Sequence, residues 1–410
     1  MVHLFTIDFF TKFPSSTSRR GDYSALPTDK YLDDELNPTI SSNSSWHLSR
    51  ALNQRRTLIA GFITFLSTTI ALTIILLRSP PYSPLDHYQN LNTLPLVPSS
   101  PVLSSATPPP EACAIVSTMY SDSYAIALAV LGHSIQSSNT TGRLVLPYLP
   151  NRISQQGLCI VRSAGWEPLP IPYIPAPNSG EGTTGRFIDQ YTKLNIWSLD
   201  KQGFQRVVYL DGDTLVRKSF DELWKLPFDF AAVPDVYGDK QGFTLNFNAG
   251  VLAIRPSSTT LDVILDKIKD AKYPRQEAEQ AYLNQFYSSS AVRLPYAYNA
   301  NLAIKTRSKA LWDGLKKEMR IVHFTLNKPF LSQDPNVVSS VIPTPEEQRA
   351  IVEHAKTRNR GLFEEEVGWW GDAFEAMMRS EVGQKMKACY ELEAVGVPQM
   401  QVKGYRNSES

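Results

Sequence analysis

Apolar and polar positions keep different rhythms in different parts of this chain. Residues 57–77 carry no charged side chain, and as a helix rising ~1.5 Å per residue they would reach about 31 Å, enough to cross a bilayer. From residue 113 onward, short β-branched runs alternate with stretches at helical spacing. CAIVST at 113–118, RLVLPYL at 143–149, RVVYL at 206–210 and the runs at 229–233 and 246–254 predict strands. Residues 121–137, 153–164, 191–199, 261–271 and 278–286 predict helices, and two more are expected at 345–358 and 363–389. Such alternation predicts an α/β domain with a largely parallel sheet covered on both faces, and ligands at the carboxyl ends of its strands.

Flanking the apolar run, residues 1–56 contain SSTSRR and SSNSSW and read as a disordered tail. Residues 78–110, with SPPYSPLDHYQ and VPSSPVLSSATPPPE, read as an extended Pro/Ser-rich stem. A cleaved signal peptide would carry a shorter apolar region, ~7–15 residues, close to the N-terminus, so 57–77 is read as a transmembrane signal anchor. Arg50, Arg55 and Arg56 precede it, and after Arg78 no Lys or Arg occurs until Arg143. The positive-inside rule then puts 1–56 in the cytosol and the folded part, 111–400, in the lumen, a single-pass type II arrangement. Residues 401–410 read as a disordered tail. Asn139-Thr140-Thr141 is a glycosylation sequon in the lumenal part, whereas Asn43-Ser44-Ser45 falls on the cytosolic side.

Composition narrows the classes. A net charge of +1 argues against a nucleic-acid binder working through bulk electrostatics. With 42% hydrophobic and 20% charged residues, a folded core is within reach. Cys113, Cys159 and Cys389 are too few and scattered for a disulfide scaffold and contain no CxxC pair for structural zinc, so one disulfide at most can form.

Chemistry enters at the end of RVVYL, where Asp211-Gly212-Asp213 follows the strand. An Asp-Gly turn is the plain alternative. A buried strand, however, delivers both carboxylates to its carboxyl edge, and Gly212 leaves room for a ligand to approach the backbone. Two hard oxygen ligands suit Mn²⁺ or Mg²⁺, which bridge nucleotide phosphates. A competing motif, Gly180-Glu181-Gly182-Thr183-Thr184-Gly185, fits G-x-G-x-x-G. Pro168, Pro170, Pro172, Pro175 and Pro177 precede it and compromise the strand that a dinucleotide site needs, so it reads as a flexible loop covering a ligand. Trp369 and Trp370 read as packing of a terminal helix.

YLDGDTLV at 209–216, FNAGVLAI at 247–254 and HFTLNKPF at 323–330 occur in that order. The combination resembles glycosyltransferase family 8, the glycogenin-like group with a GT-A fold, in a Golgi type II membrane form. The resemblance covers residues 113–330. It implies a Rossmann-related, GT-A-like mixed sheet flanked by helices, a nucleotide-sugar donor (usually a UDP-sugar), Mn²⁺ and retention of anomeric configuration. It further implies that Asp211, Asp213 and His323 hold the metal, and that Lys328 and Lys193, in the TKL helix, contact the donor diphosphate. Thr118, Met119, Tyr120 and Tyr124 would hold the uridine, with Tyr124 stacked on the base. Gly212, Asn248, Ala249 and Gly250 would lie near the donor, the last three beside the transferred sugar. Where many members carry Gly-Gly-Asp-Gln, this chain has Glu277-Ala278-Glu279-Gln280, so Glu279 and Gln280 are the candidates for sugar and acceptor contacts and for catalysis. The acceptor is a glycan, lipid or polyol, and no nucleic acid is implicated. Two alternatives stay open: a nucleotide-dependent oxidoreductase using loop 180–185, and a non-catalytic lumenal carbohydrate-binding protein.

Overall fold

A computed structural model describes residues 45–78, 106–236, 246–333 and 342–392. Of the disordered tail expected at 1–56, residues 1–44 lie outside the described residues and 45–56 are helical instead; most of the stem and the C-terminal tail also lie outside them. The chain divides into two units, Met1–Pro81 and Tyr82–Ser410.

In the first unit a single helix runs Ser45–Arg78, extending well before the apolar stretch. Its segment Asn53–Leu76, with mean hydropathy 2.2, is among the described residues the one helix long and apolar enough to cross a membrane. Its hydroxyls are satisfied internally. Thr64, Thr69 and Thr73 donate to the carbonyls of Ala60, Phe65 and Thr69 at 2.8–2.9 Å, which removes the cost of carrying them through hydrocarbon.

The second unit is built on strands β1 (Cys113–Val116), β2 (Arg143–Tyr148), β3 (Glu167–Pro170), β4 (Arg206–Leu210), β5 (Thr214–Val216), β6 (Phe230–Pro234), β7 (Phe247–Ile254), β8 (Val292–Arg293), β9 (Ala300–Asn301) and β10 (Ile321–His323). The main sheet has the order β3-β2-β1-β4-β7-β6-β8, and β5-β10-β9 form a smaller one. Pairings β2–β3, β1–β2, β1–β4 and β6–β8 are parallel, while β7 runs antiparallel to β4 and β6. The expected mixed, mainly parallel sheet is therefore present. Period-two alternation splits each central strand between two cores: Ile115, Val208 and Leu210 face one, Val116, Val207 and Tyr209 the other. Strand order reverses between β1 and β4, which opens a crevice at their carboxyl ends, where Thr118 and Asp211 stand.

Several elements differ from expectation. Residues 121–137 open with a 3₁₀ turn, Asp122–Tyr124, before the α-helix Ala125–Ser137. Residues 191–199 are part of a longer 3₁₀ segment, Gly185–Gln202. The single helix expected at 363–389 is two, Glu364–Arg379 and Glu381–Cys389. Ser380 breaks it, extended at ψ 179° and accepting from the Val382 N–H. Gly383 fits the corner because a Cβ there would lie 2.2 Å from the Met378 carbonyl oxygen. The proline-rich stretch does contain a strand, β3, at the sheet edge, where only one side of the backbone is paired. That strand ends at Pro170, and a 3₁₀ turn at Pro177–Gly180 leads into the glycines. The strand-into-glycine geometry of a dinucleotide site is absent there.

Cys159 and Cys389 form a disulfide that fastens the last helix to the helix Gln155–Ser163, and Cys113 is free and buried. Burial pushes the Cys113 thiol up to about 11. Trp370 is buried against Phe374, with ring centroids 5.8 Å apart, and Trp369 stacks under Arg217 at 4.0 Å. Both indoles serve packing.

Candidate functional site

β4 ends at Leu210, the chain turns through Asp211-Gly212-Asp213, and β5 begins at Thr214. β10 pairs antiparallel with β5 so that His323 sits opposite Thr214. This register brings a histidine more than a hundred residues away beside the acidic pair. Asp211, Asp213 and His323 have ligand atoms within 4.8 Å of one another. His323 Nε2 lies 3.1 Å from Asp213 Oδ1 and 4.0 Å from Asp211 Oδ2.

The second imidazole nitrogen fixes the ring. His323 Nδ1 lies 3.0 Å from Asn299 Oδ1, while the Asn299 amide nitrogen donates to Asn248 Oδ1 at 2.9 Å. With the Asn299 oxygen as acceptor, Nδ1 donates to it, and the ring is held so that Nε2 faces the two carboxylates. Gly250 makes the approach feasible, since a Cβ there would lie 2.2 Å from His323 Cε1. Two carboxylates and a correctly presented imidazole fit a divalent cation such as Mn²⁺ or Mg²⁺.

Two lysines flank the cluster. Lys193, 2% exposed, pairs with Asp211 at 3.1 Å and Glu279 at 2.8 Å, and its ammonium lies 4.8 Å from the Tyr209 ring centroid. Burial disfavours its charge, but Asp211 and Glu279 outweigh burial and push its pKa up. Lys328, 30% exposed at its side chain, pairs with Asp213. Burial opposes ionisation of Asp213 too, yet Lys328 and His323 hold its pKa well below the ordinary carboxylate range. Burial raises Glu279, with Lys193 opposing.

The other residues singled out from sequence fall around this centre. The Thr118 hydroxyl lies 3.0 Å from the Tyr209 hydroxyl, which in turn donates to Asp211 Oδ1 at 2.7 Å. Met119 is buried in the core, and its backbone is already paired, the N–H with the Pro147 carbonyl at 3.0 Å and the carbonyl with the Leu149 N–H at 3.4 Å. Tyr120 follows it, half-buried. The Tyr124 ring packs edge-on against Phe330, with centroids 5.1 Å apart. The room left by Gly212 is taken by that tyrosine, because a Cβ would lie 3.0 Å from Tyr124 Cδ1. Gln280 Oε1 accepts from the Ala249 N–H at 2.9 Å and lies 3.3 Å from Asn248 Nδ2. Ala278, where a glycine was noted as missing, adopts φ 50° and ψ −133°, a conformation suited to glycine.

Sequence reasoning missed three residues. Asp235, 5% exposed, accepts from the Val236 N–H at 2.8 Å and from Gln280 Nε2 at 3.1 Å, and burial raises its pKa. An acid directly after β6 is the same signal that drew attention to Asp211. Tyr209 and Asn299 gave no such signal, since each acts through a partner distant in sequence.

Residues 115–333, more than half of the chain, match the family described as Glycosyl transferase family 8. The chain belongs to that family. The mainly parallel, helix-flanked sheet agrees with the fold that the family resemblance implied. Glycogenin-1 of Caenorhabditis elegans is 30% identical over 216 residues, covering 50% of this chain and 47% of the relative. Inositol phosphorylceramide glucuronosyltransferase 1 of Arabidopsis thaliana is 24% identical over 235 residues, covering 52% and 41%. The chain thus spans about half or less of these relatives. The solved apo glycosyltransferase GlyE of Streptococcus pneumoniae TIGR4 aligns at TM-score 0.42 and 17% identity, over 66% of this chain and 64% of that one.

Proposed function

We propose that this chain is a metal-dependent, retaining glycosyltransferase that moves a sugar from a UDP-sugar to a hydroxyl of a glycan, lipid or polyol in the Golgi lumen. The convergence of Asp211, Asp213 and His323 within 4.8 Å, at the carboxyl end of a central strand in a family 8 chain, carries this reading. Mn²⁺ or Mg²⁺ held by these three residues would neutralise diphosphate charge as a Lewis acid. Lys328, partly exposed, adds a cation where charge develops on the leaving nucleotide. Lys193 is fixed by two carboxylates and sets the field beneath the site.

Thr118, Tyr120 and Tyr124 are assigned to the uridine, with Met119 anchoring their strand end in the core, and Gly212, Asn248, Ala249 and Gly250 to the remainder of the donor. Glu279 and Gln280 are assigned to the sugar and acceptor. The Glu279 carboxylate is already engaged by Lys193, and Gln280 by Ala249 and Asp235. Those engagements favour positioning by both residues and same-face attack by the acceptor hydroxyl, which needs no strong separate base. The Cys159–Cys389 disulfide supports an oxidising lumen for this unit, and the Asn53–Leu76 helix supports membrane anchorage.

Ligand-dependent melting of the full chain tests the reading. A ligand at a hundredfold excess over Kd stabilises by about 2.7 kcal/mol, a shift of a few degrees for a domain this large. UDP with Mn²⁺ is expected to produce it, UDP with chelator far less, and NAD none. A donor-hydrolysis screen of nucleotide sugars with Mn²⁺ then names the sugar. Stabilisation by NAD that is lost on replacing Gly182 and unaffected by Asp213→Asn would overturn the transferase reading in favour of an oxidoreductase.

A further inference from the structure

The loop that carries Lys328 is short of bonds of its own. Its Leu331 N–H reaches the Lys328 carbonyl at only 3.4 Å. What holds it lies in the helical segment 342–392, beyond the residues that match the family. Arg358, at the end of the helix Pro345–Thr357, sends Nη1 to the Lys328 carbonyl at 3.2 Å and to Asn327 Oδ1 at 3.5 Å. Its Nη2 donates to the Leu331 carbonyl at 2.9 Å. Asn327 Nδ2 in turn donates to the Ala355 carbonyl at 2.9 Å, and Gln348 Nε2 to the Pro329 carbonyl at 3.3 Å. Trp370 closes the far side against Phe330, whose ring also meets Tyr124.

A half-buried guanidinium is costly unless its surroundings repay it. No carboxylate among the described residues forms an ion pair with Arg358; its two Nη groups go to this loop, while its Nε is buried without a partner. The planar fork suits the task, because two rigidly spaced nitrogens can gather carbonyls that a single ammonium cannot hold together. We propose that Arg358 is a positioning residue for donor binding: by clasping the carbonyls of Lys328 and Leu331, it fixes the loop so that the Lys328 ammonium faces the donor diphosphate. The inference rests on the assignment of Lys328 to that diphosphate. It adds a residue outside the matched family region to the binding machinery and gives the C-terminal helices a part in donor recognition.

The test uses the full chain with UDP plus Mn²⁺, and Mn²⁺ alone, as probes, and melting without ligand as the folding control. Arg358→Met is expected to weaken UDP–Mn²⁺ binding on the order of tenfold, as for loss of charge-assisted hydrogen bonds. Binding of Mn²⁺ alone should hold, since its three ligands are untouched. Arg358→Lys should recover part of the loss. Lys328→Ala combined with Arg358→Met should bind UDP no worse than Lys328→Ala alone, because both act through one ammonium. Should Arg358→Met fail to fold, Arg358→Lys and Arg358→Gln must still show weakened UDP with unchanged Mn²⁺. Unchanged UDP affinity in the Arg358 variants, or losses that multiply in the double variant, overturns the positioning role while the donor site stands. An unaltered chain that ignores UDP–Mn²⁺, or a Lys328→Ala chain that binds it normally, overturns the donor assignment itself and the inference with it.

Discussion

Asp213 combines two demands at one side chain: it is 5% exposed, and as the proposed metal ligand it must stay ionised. Lys328 and His323 satisfy both by holding its pKa down. Asp213→Asn keeps shape but removes a charged ligand, so transfer should fall by orders of magnitude with the fold retained, at a melting temperature lowered by loss of the pairing with Lys328 and His323. His323→Ala should raise the Mn²⁺ concentration needed for half-maximal transfer. Near-normal transfer by Asp213→Asn at limiting Mn²⁺ would remove the metal site. Ala278 offers a contrasting case, since its φ of 50° strains a residue with a Cβ. Relief of about 1–3 kcal/mol of strain competes with about 1 kcal/mol for the lost buried methyl. Ala278→Gly should therefore match or exceed the unaltered chain in melting temperature. Ala281→Gly, inside the same helix, should lower stability by roughly 1 kcal/mol, and the reverse order of melting temperatures would contradict the strain.

At the scale of elements, the helices after residue 342 are tied down at several points. Glu366, fully buried, accepts from Lys305 at 2.8 Å and from the Trp312 indole at 2.7 Å. The Cys159–Cys389 bridge closes a loop of sequence separation 230. In the chain-entropy account a loop this long is worth at most about 5.5 kcal/mol through the unfolded state. Cys389→Ser, or reductant applied to the unaltered chain, should lower the melting temperature by several degrees. A melting curve indifferent to reductant would show that the bridge does not hold these helices in solution.

For the whole molecule, orientation across the membrane decides whether Asn139 meets the glycosylation machinery. Asn139 is exposed at the turn after the helix Ala125–Ser137, with φ 56°. If the unit containing it is lumenal, glycosidase treatment of the cell-made protein should increase gel mobility, and Asn139→Gln should abolish that change. Persistence of the change in Asn139→Gln and its loss in Asn43→Gln would reverse the orientation.

Local rules were sufficient where the signal is local. Short apolar, β-branched runs placed β4 and β7 because a buried strand needs little beyond its own side chains, and an uncharged run placed the apolar helix for the same reason. The acidic pair after RVVYL was legible because a strand end points its next residues into the crevice. Ser380 escaped notice since a serine caps or continues a helix according to what packs around it. The position of His323 beside Asp213, the Asn299 contact that orients its ring and the Arg358 clasp on the Lys328 loop depend on strand register and helix docking. Sequence fixes which residues can bind a metal or a phosphate; which of them meet is decided by register and packing, because those contacts join segments whose separation along the chain carries no information about distance in space.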